Sequence, residues 1–137
     1  MLKFLKAKIF RCEELPLDID LREVNRLKKS LQKWVEDRRY RECNLSRDDV
    51  AGQLNTSREF LNAYITKVLK LDFNSWRTSL RIDEAKKLLL ESRDLPVSLV
   101  GEMVGISDRS NFHRQFTKQV GCTPKQWRES SQNRLLF

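Results

Sequence analysis

Glycine, proline, cysteine and histidine are all scarce in this chain. Its 137 residues include 4 glycines, 3 prolines, 3 cysteines and 1 histidine. No glycine-rich phosphate loop occurs, and the single histidine, His113, completes no Ser-His-Asp or Cys-His arrangement. Cys12, Cys43 and Cys122 are too few and too widely spaced for a zinc site. Without a signal peptide they indicate reduced thiols in a cytosol. We therefore predict a cytoplasmic protein that is not an enzyme and that needs no cofactor or metal.

Long apolar runs are also missing. The opening, Met1 to Phe10, alternates apolar residues with lysines and is far shorter than the roughly 20 apolar residues of a membrane span. Three interpretations stay open: a segment lying on a membrane surface, a disordered start, or a connection to an upstream domain, which we favour.

Positive charge is in excess throughout. Lysine and arginine number 27 against 19 acidic residues, for a formal net charge of +8. Residues 1–44 and residues 45–137 contribute equally to this excess, so it is not confined to a tail. A basic excess spread over a folded domain favours a polyanionic partner, and the alternative is a merely soluble basic protein.

The stretch from Val104 to Arg128 has the helix-ending and helix-capping residues that are typical of a helix-turn-helix. Gly105 is typical of a helix end, Ser107 or Asp108 can cap the next helix, and Gly121 can end it. Thr123-Pro124 then begins a further helix. Phe112, Phe116 and Val120 form one apolar stripe at four-residue spacing. The opposite face of this helix carries four polar residues: Ser110, Asn111, Arg114 and Lys118. Such a face suits base edges and phosphates, although any solvated helix face is polar.

The same pattern occurs earlier in the chain. Ala51, Leu54 and Ser57 recur fifty residues later as Gly101, Val104 and Ser107. After one gained residue, the recurrence continues at a spacing of fifty-one: Leu61, Ile65, Thr66-Lys67, Leu69 and Trp76-Arg77 recur as Phe112, Phe116, Thr117-Lys118, Val120 and Trp127-Arg128. A repeat at fixed spacing indicates a duplicated unit.

Residues 45–130 resemble the DNA-binding domain of the AraC/XylS transcription regulators. In the first half the resemblance is carried by Leu45-Ser46, Val50-Ala51, Leu54, Ser57, Leu61, Phe73, Trp76, Arg81, Ala85 and Leu88-Leu89. In the second half, which is the more specific, it is carried by Val100, Gly105, Ser107, Ser110-Asn111-Phe112, Phe116, Lys118, Gly121, Thr123-Pro124 and Trp127-Arg128. Lys70 replaces the family's usual glycine, so its helix end is expected to lack a left-handed cap. Gly101 replaces alanine and Ile106 replaces phenylalanine, and both changes are expected to weaken local packing.

The resemblance implies a first recognition helix after Ser57 or Thr56. Leu61, Tyr64, Ile65 and Val68 are predicted to face inward. Its outward residues are Glu59, Asn62, Ala63, Thr66 and Lys67, which with Arg109 and the four polar residues named above make up the predicted DNA-contacting set. Glu59 could accept a hydrogen bond from a cytosine amino group, or could only stabilise the helix N-terminus.

Asp72 is predicted to cap a long connecting helix. Phe73, Trp76 and Leu80 start its apolar stripe, and Ile82, Ala85, Leu88 and Leu89 continue it on a rotated face. A helix whose buried face rotates in this way can serve two cores. At about 19 residues it would be roughly 28 Å long, of the order of the 34 Å between successive major-groove faces.

An additional helix is predicted before the first helix-turn-helix. Asp20 is its expected N-cap, with Glu23 completing a capping box and Ile19 stapling to Val24. Its apolar stripe is Leu21, Val24, Leu27, Leu31, Trp34 and Val35. The basic run from Lys28 to Arg41 is interpreted as a solvated face, or as a surface for a partner or a second copy.

The predicted fold is therefore all-α, with two helix-turn-helix subdomains, a long connecting helix and an additional N-terminal helix. Residues 1–44 form an arm and helix, residues 45–131 the DNA-binding domain, and residues 132–137 a tail. Within the domain we predict the first helix-turn-helix at about 46–70, the connecting helix at 73–91, the second helix-turn-helix at 97–120 and a closing helix at 124–130.

The predicted function is sequence-specific binding of double-stranded DNA in transcription regulation, with the two recognition helices in adjacent major grooves. The resemblance implies activation through contact with RNA polymerase rather than simple repression. The chain either works alone or, as we favour, is the output part of a larger sensor-regulator. Residues 1–44 could contact an upstream sensor domain or a second copy, and no small-molecule effector site is predicted because they are too few to enclose one. The alternatives are a protein-interaction module that has kept only the fold, and nonspecific association with nucleic acid.

Overall fold

The computed structural model describes residues 20–135, with side chains to residue 130, and these residues form helices without strands. The predicted all-α class is confirmed. Within residues 20–135 the seven α-helices are Leu21–Glu36 (α1), Arg47–Gln53 (α2), Arg58–Val68 (α3), Phe73–Glu91 (α4), Val97–Val104 (α5), Arg109–Val120 (α6) and Pro124–Leu135 (α7), and a short 3-10 helix covers Arg39–Arg41. Helix α7 runs to Leu135 and is longer than the predicted 124–130, so it takes in most of the expected tail. The interpretations of Met1 to Phe10, Cys12 and Ile19 concern residues outside the described range.

Helix starts follow the predicted caps closely. The Ser57 hydroxyl accepts from the Phe60 amide at 3.1 Å at the start of α3, and Asp108 rather than Ser107 caps α6. Asp72 accepts from the Ser75 amide at 2.8 Å at the start of α4. At α1 the outcome differs from the prediction. The Asp20 carboxylate accepts from the Arg22 amide at 2.9 Å, while the Glu23 carboxylate lies 3.8 Å from the Arg26 guanidinium instead of completing a capping box.

Helix ends use left-handed residues at corresponding places in the two repeats. Gly105 and Gly121, with φ of 102° and 92°, end α5 and α6 as predicted. The corresponding residues after α2 and α3 are Asn55 and Lys70, with φ of 55° and 59°. The expectation that Lys70 would leave its helix without a left-handed cap is therefore wrong. The chain adopts the left-handed turn there at a cost in backbone strain, because a side chain disfavours positive φ.

The described chain divides into two compact units, the first ending at Arg77 and the second beginning at Thr78. Helix α1 belongs to the first unit and shares its core. The Trp34 ring stacks on the Trp76 ring at 5.5 Å between centroids, and the Trp34 indole N–H donates to the Gln53 side-chain oxygen at 2.9 Å. The predicted stripe of α1 is buried except for its first member, since Leu21 is 52% exposed.

The second unit has its own core. It is formed by α4, α5 and α6 and by the turn between the last two, through Ile82, Ala85, Leu89, Val100, Val104, Ile106, Phe112 and Phe116. Gly101 lies against Phe112 on the inner side of α5. The aromatic pair Phe112 and Phe116 supplies the largest surfaces, with ring centroids 5.9 Å apart.

Helix α4 contributes buried residues to both units. Phe73 and Trp76 near its start pack in the first unit, and their ring centroids are 5.8 Å apart. Ile82, Ala85 and Leu89 lie in the core of the second unit. The predicted rotation of the buried face along this helix is confirmed.

The repeated Trp-Arg pair has a comparable anchoring role in each unit. In the second unit the Trp127 indole N–H donates to the Lys86 carbonyl at 3.2 Å, and Arg128 donates to the Leu89 carbonyl at 3.0 Å. These bonds hold α7 against the later part of α4. In the first unit Arg77 donates to the Leu45 carbonyl at 2.6 Å and lies over the Phe73 ring. None of the helices within residues 20–135 combines the length and apolarity that a membrane crossing requires.

Candidate nucleic-acid interface

Helix α6 has a fixed start, a fixed end and a fixed rotation about its axis. The Asp108 carboxylate accepts from the Asn111 amide at 2.7 Å, and Gly121 ends the helix in a left-handed conformation. Phe112 and Phe116 are buried, which confirms the predicted inward face. The opposite side of α6 must therefore face away from the core of its unit.

The outward side of α6 presents the predicted polar set. Arg109, Ser110, Arg114 and Lys118 are exposed, and Asn111 is half-buried. The Arg114 guanidinium donates to the Asn111 side-chain oxygen at 2.8 Å, and the Gln115 amide donates to the same oxygen at 3.4 Å. The carbonyl end of Asn111 is therefore occupied in the free protein. To bind an adenine edge with both ends of its amide, Asn111 would have to release Arg114.

A second set of contacts steadies the later part of α6. The Gln119 amide nitrogen lies 3.3 Å from the Asp83 carboxylate and 3.5 Å from the Ser79 carbonyl, both on α4. Burial raises the pKa of the Asp83 carboxyl, and nearby Lys86 acts in the opposite direction. These contacts link the later part of α6 to α4 within the second unit.

Helix α3 shows the same construction in the first unit. Leu61, Tyr64, Ile65 and Val68 are buried, as predicted. Of the predicted outward residues, Glu59, Thr66 and Lys67 are exposed, and Asn62 and Ala63 are half-buried. Glu59 lies in the first turn of α3, where a negative side chain is stabilised, and its carboxylate is 3.8 Å from the Arg58 guanidinium. Both interpretations of Glu59 are compatible with this position.

Arg58 is an exposed cation outside the predicted DNA-contacting set. It is the first residue of α3 and lies fifty-one residues before Arg109, the first residue of α6. Arg109 was in the predicted set, so the repeat itself was the signal that could have added Arg58. The Arg58 guanidinium lies 3.7 Å from the Asp48 carboxylate on α2, and both side chains are exposed. An exposed pair of this kind contributes little to stability and can exchange for another anion.

The two outward faces differ at equivalent positions. At a spacing of fifty-one residues, Ala63 corresponds to Arg114 and Glu59 to Ser110, whereas Lys67 corresponds to Lys118. The lysines preserve one cation at the same place on both helices. The pairs Ala63/Arg114 and Glu59/Ser110 change size, charge and hydrogen-bonding groups, so the two faces could recognise different base sequences. Among residues 20–135 no three potential metal ligands come together.

Comparison with known sequences places these elements among regulatory proteins. The sequence model of a helix-turn-helix domain family matches residues 50–130. The arabinose operon regulatory protein of Escherichia coli is 30% identical over 111 residues, which cover 81% of this chain and 37% of that protein. The chain therefore spans little more than a third of the length of that relative.

Two solved structures have similar folds. The C-terminal domain of AraT, a response regulator from Geobacillus stearothermophilus, matches with a TM-score of 0.67 and 28% identity, over 77% of this chain and 84% of that domain. The DNA-binding domain of the global transcriptional factor AdpA, solved in complex with a target DNA, matches with a TM-score of 0.69 and 20% identity. That match covers 79% of this chain and 94% of the AdpA domain, and it concerns the fold alone.

Proposed function

Because this chain belongs to the AraC-type family of helix-turn-helix transcription regulators, we propose that it binds a specific duplex DNA site with α3 and α6 in adjacent major grooves. The observation that supports this proposal best is the repeated construction of the two helices. Each follows a tight turn with a left-handed residue, is capped by a side-chain oxygen, and turns a polar face away from a buried stripe. A recognition helix needs these properties to hold its side chains against base edges.

The side chains on α6 divide into two roles. Arg114 lies centrally on the exposed face, where a guanidinium can bind a guanine edge with two hydrogen bonds. Arg109, Ser110 and Asn111 near the start of the helix add further groups for bases or phosphates. Lys118, one turn beyond Arg114, is assigned to a phosphate because its ammonium group is a point charge without the planar fork that a guanidinium presents to a base edge.

On α3 the assignments follow the equivalent positions. Lys67 is assigned to a phosphate, as Lys118 is on α6. Ala63 could contact a thymine methyl group, and Asn62, Thr66 and Glu59 could form hydrogen bonds with neighbouring bases. Since the two outward faces differ, one chain should recognise an asymmetric site. The site would consist of two dissimilar base sequences, here called boxes, one contacted by α3 and one by α6, and it need not be a palindrome.

Selection of binding sites from a random duplex library tests this proposal. We expect an asymmetric consensus with two boxes about one helical turn apart. Inserting about five base pairs between the boxes should abolish tight binding, because it turns the second box to the opposite side of the duplex. Inserting about ten should not restore it, since a continuous helix cannot stretch by a whole turn. A palindromic consensus, or protection of both boxes after the five-pair insertion, would instead favour dimers with one working unit per chain.

A salt titration on selected and scrambled duplexes separates the alternative functions. A specific regulator binds the selected duplex more tightly than the scrambled one at each salt concentration. A nonspecific binder holds both equally, with a steep salt dependence in each case. A protein-interaction module that has kept the fold binds neither.

We further propose that the chain acts as the output part of a larger regulator and that it activates transcription. Two observations support the role as an output part. The chain spans little more than a third of the length of its arabinose regulator relative, and the similar fold in AraT is that protein's C-terminal domain. Activation is proposed from the family resemblance. Transcription in vitro from a promoter with the selected site tests it, since an activator raises transcript yield and a repressor lowers it.

A further inference from the structure

Helix α1 carries a row of four exposed cations on the side opposite its buried stripe. The row consists of Arg22, Arg26, Lys29 and Lys33. At 3.6 residues per turn, these positions fall within about 60° of one another around the helix axis. The buried residues Val24, Leu31 and Val35 lie on the other side. With 1.5 Å of rise per residue, the row is about 16 Å long.

Neighbouring carboxylates cancel this charge only in part. Arg26 lies 3.8 Å from Glu23, and Lys33 lies 3.3 Å from Asp37. The cationic side chains of these pairs are 70% and 77% exposed. Ion pairs so open to water are weak and exchange readily for a stronger anionic partner. The row can therefore accept phosphates without losing a structural contact.

One member of the row, Arg26, lies next to the start of α3. A groove of about 580 Å³ is lined on one side by Glu23, Arg26 and Leu27 of α1. Its other side is formed by the turn and the first residues of α3, namely Leu54, Asn55, Thr56, Ser57 and Phe60. In helix-turn-helix proteins the start of the recognition helix contacts the base edges. Arg26 thus borders the end of α3 that would approach DNA.

We propose that the cation row of α1 binds the phosphate backbone of DNA that flanks the box read by α3. This inference rests on the proposed DNA-binding function and extends it to a surface outside both recognition helices. The charge is complementary, and each DNA strand carries one negative charge per roughly 3.4 Å of helix axis. A row about 16 Å long can therefore lie beside several phosphates. Through Arg26 the row borders the groove at the start of α3.

The salt dependence of binding tests the row directly. Each phosphate contact contributes about 0.9 to the slope of log affinity against log salt concentration. The variant R22Q/R26Q/K29Q/K33Q should lower the slope by about 2 or more on the selected duplex, and Arg26→Gln alone by about 0.9. Lys28→Gln is the matched control, because it removes a cation from the same helix but lies well off the row. Its slope should be unchanged.

Folding is checked separately. The four cations are exposed, so the melting temperature of the quadruple variant should stay close to that of the wild type. If the melting temperature of the quadruple variant falls markedly, the salt slopes of the four single Gln variants are used to test the proposal instead. A slope equal to that of the wild type in every one of them would overturn the proposal.

Duplexes trimmed at one end locate the contact. Removing the flank beyond the α3 box should weaken wild-type binding and should abolish the difference between the wild type and the quadruple variant. Removing the opposite flank should leave that difference intact. A difference that survives both trims would overturn the flanking contact. So would row variants that bind DNA normally and lose only activation with RNA polymerase, since that result assigns the row to an acidic protein surface.

Failure of the proposed DNA-binding function can be distinguished from failure of the proposal for α1. If the wild type does not prefer selected over scrambled duplex, both proposals fail. If it binds specifically and the row variants keep its salt slope, only the role of α1 is overturned.

Discussion

A methyl group in the Cβ position of Gly101 would lie 2.9 Å from Cγ of Phe112, inside normal contact distance. It would also lie 3.0 Å from Cδ2 of that ring and 3.1 Å from the Ile106 carbonyl oxygen. Glycine here lets the Phe112 ring sit directly on the backbone of α5. The expectation that Gly101 weakens local packing is therefore wrong, since the missing side chain makes room for a larger one.

Gly101→Ala should destabilise the protein by about 1–3 kcal/mol, because the buried ring must shift to accept the methyl group. Gly52→Ala is the matched control. Gly52 is also helical, and its Cβ position has nothing within 4 Å. Alanine there should therefore raise the free energy of unfolding by about 0.5–1 kcal/mol through its higher helix propensity. Chemical denaturation measures both values. Equal stabilisation by the two substitutions would show that Phe112 can move away at no cost.

Lys70→Gly should stabilise the first unit by about 0.5–1 kcal/mol. Lys70 has a φ of 59°, a conformation that glycine adopts without the steric cost of a side chain. Thermal or urea unfolding provides the measurement. Lys87→Gly removes a lysine from an exposed helical position and should cost about 1 kcal/mol, so the two changes should differ in sign. A loss of stability in both would mean that Lys70 contacts outweigh its strain.

Arg114→Ala should weaken binding to the selected duplex by about 1–3 kcal/mol and relax the preference at one base pair. The reason is the central position of Arg114 on the exposed face of α6. Lys118→Ala serves as the comparison, because loss of a phosphate contact should weaken selected and scrambled DNA alike and lower the salt slope by about one. Equal losses on both duplexes for Arg114→Ala would assign that residue to the backbone as well.

Alkaline pH should unfold the protein partly through Tyr64. Burial raises the pKa of this phenol from 10.0 to about 12, so the folded state holds the proton more tightly than the unfolded state. The stabilisation is fully present below pH 10 and declines as the pH rises from 10 through 12. Tyr64→Phe should flatten this part of the stability profile. Unfolding curves at pH 8 and pH 11 test it, and an identical decline in both proteins would show that other groups cause it.

Much of the fold could be predicted because burial follows the helical period. Leu61 and Ile65 in α3, and Phe112 and Phe116 in α6, are buried at the spacing that the sequence shows. Caps were predictable for a similar reason, since a side-chain oxygen before an apolar stripe satisfies free backbone amides. The outward faces of α3 and α6 then follow from geometry. Which of their side chains bind DNA stays a prediction.

What could not be predicted depends on contacts between distant residues. The stacking of Trp34 on Trp76 packs α1 into the first unit. Neither the periodicity nor the capping residues of the two helices predict that these two rings meet. A left-handed turn at Lys70 was not expected, because a residue with a side chain disfavours positive φ. The turn is accompanied by a buried Leu69 and by a hydrogen bond from the Leu71 amide to the Ile65 carbonyl at 3.4 Å. The role of Gly101 was missed since its cause, the Phe112 ring, lies eleven residues away. Leu21 was assigned to the buried stripe by period alone, although the helix begins there and leaves it exposed.

Helix α4 has a consequence for how such a chain can be divided or inherited. The boundary between the two units falls inside this helix, so cutting the gene at the boundary would give neither half a whole copy of it. Each separated half would need its own copy of residues 73–91 to keep its buried side chains. A gene that encodes one unit alone would therefore have to encode the whole of this helix.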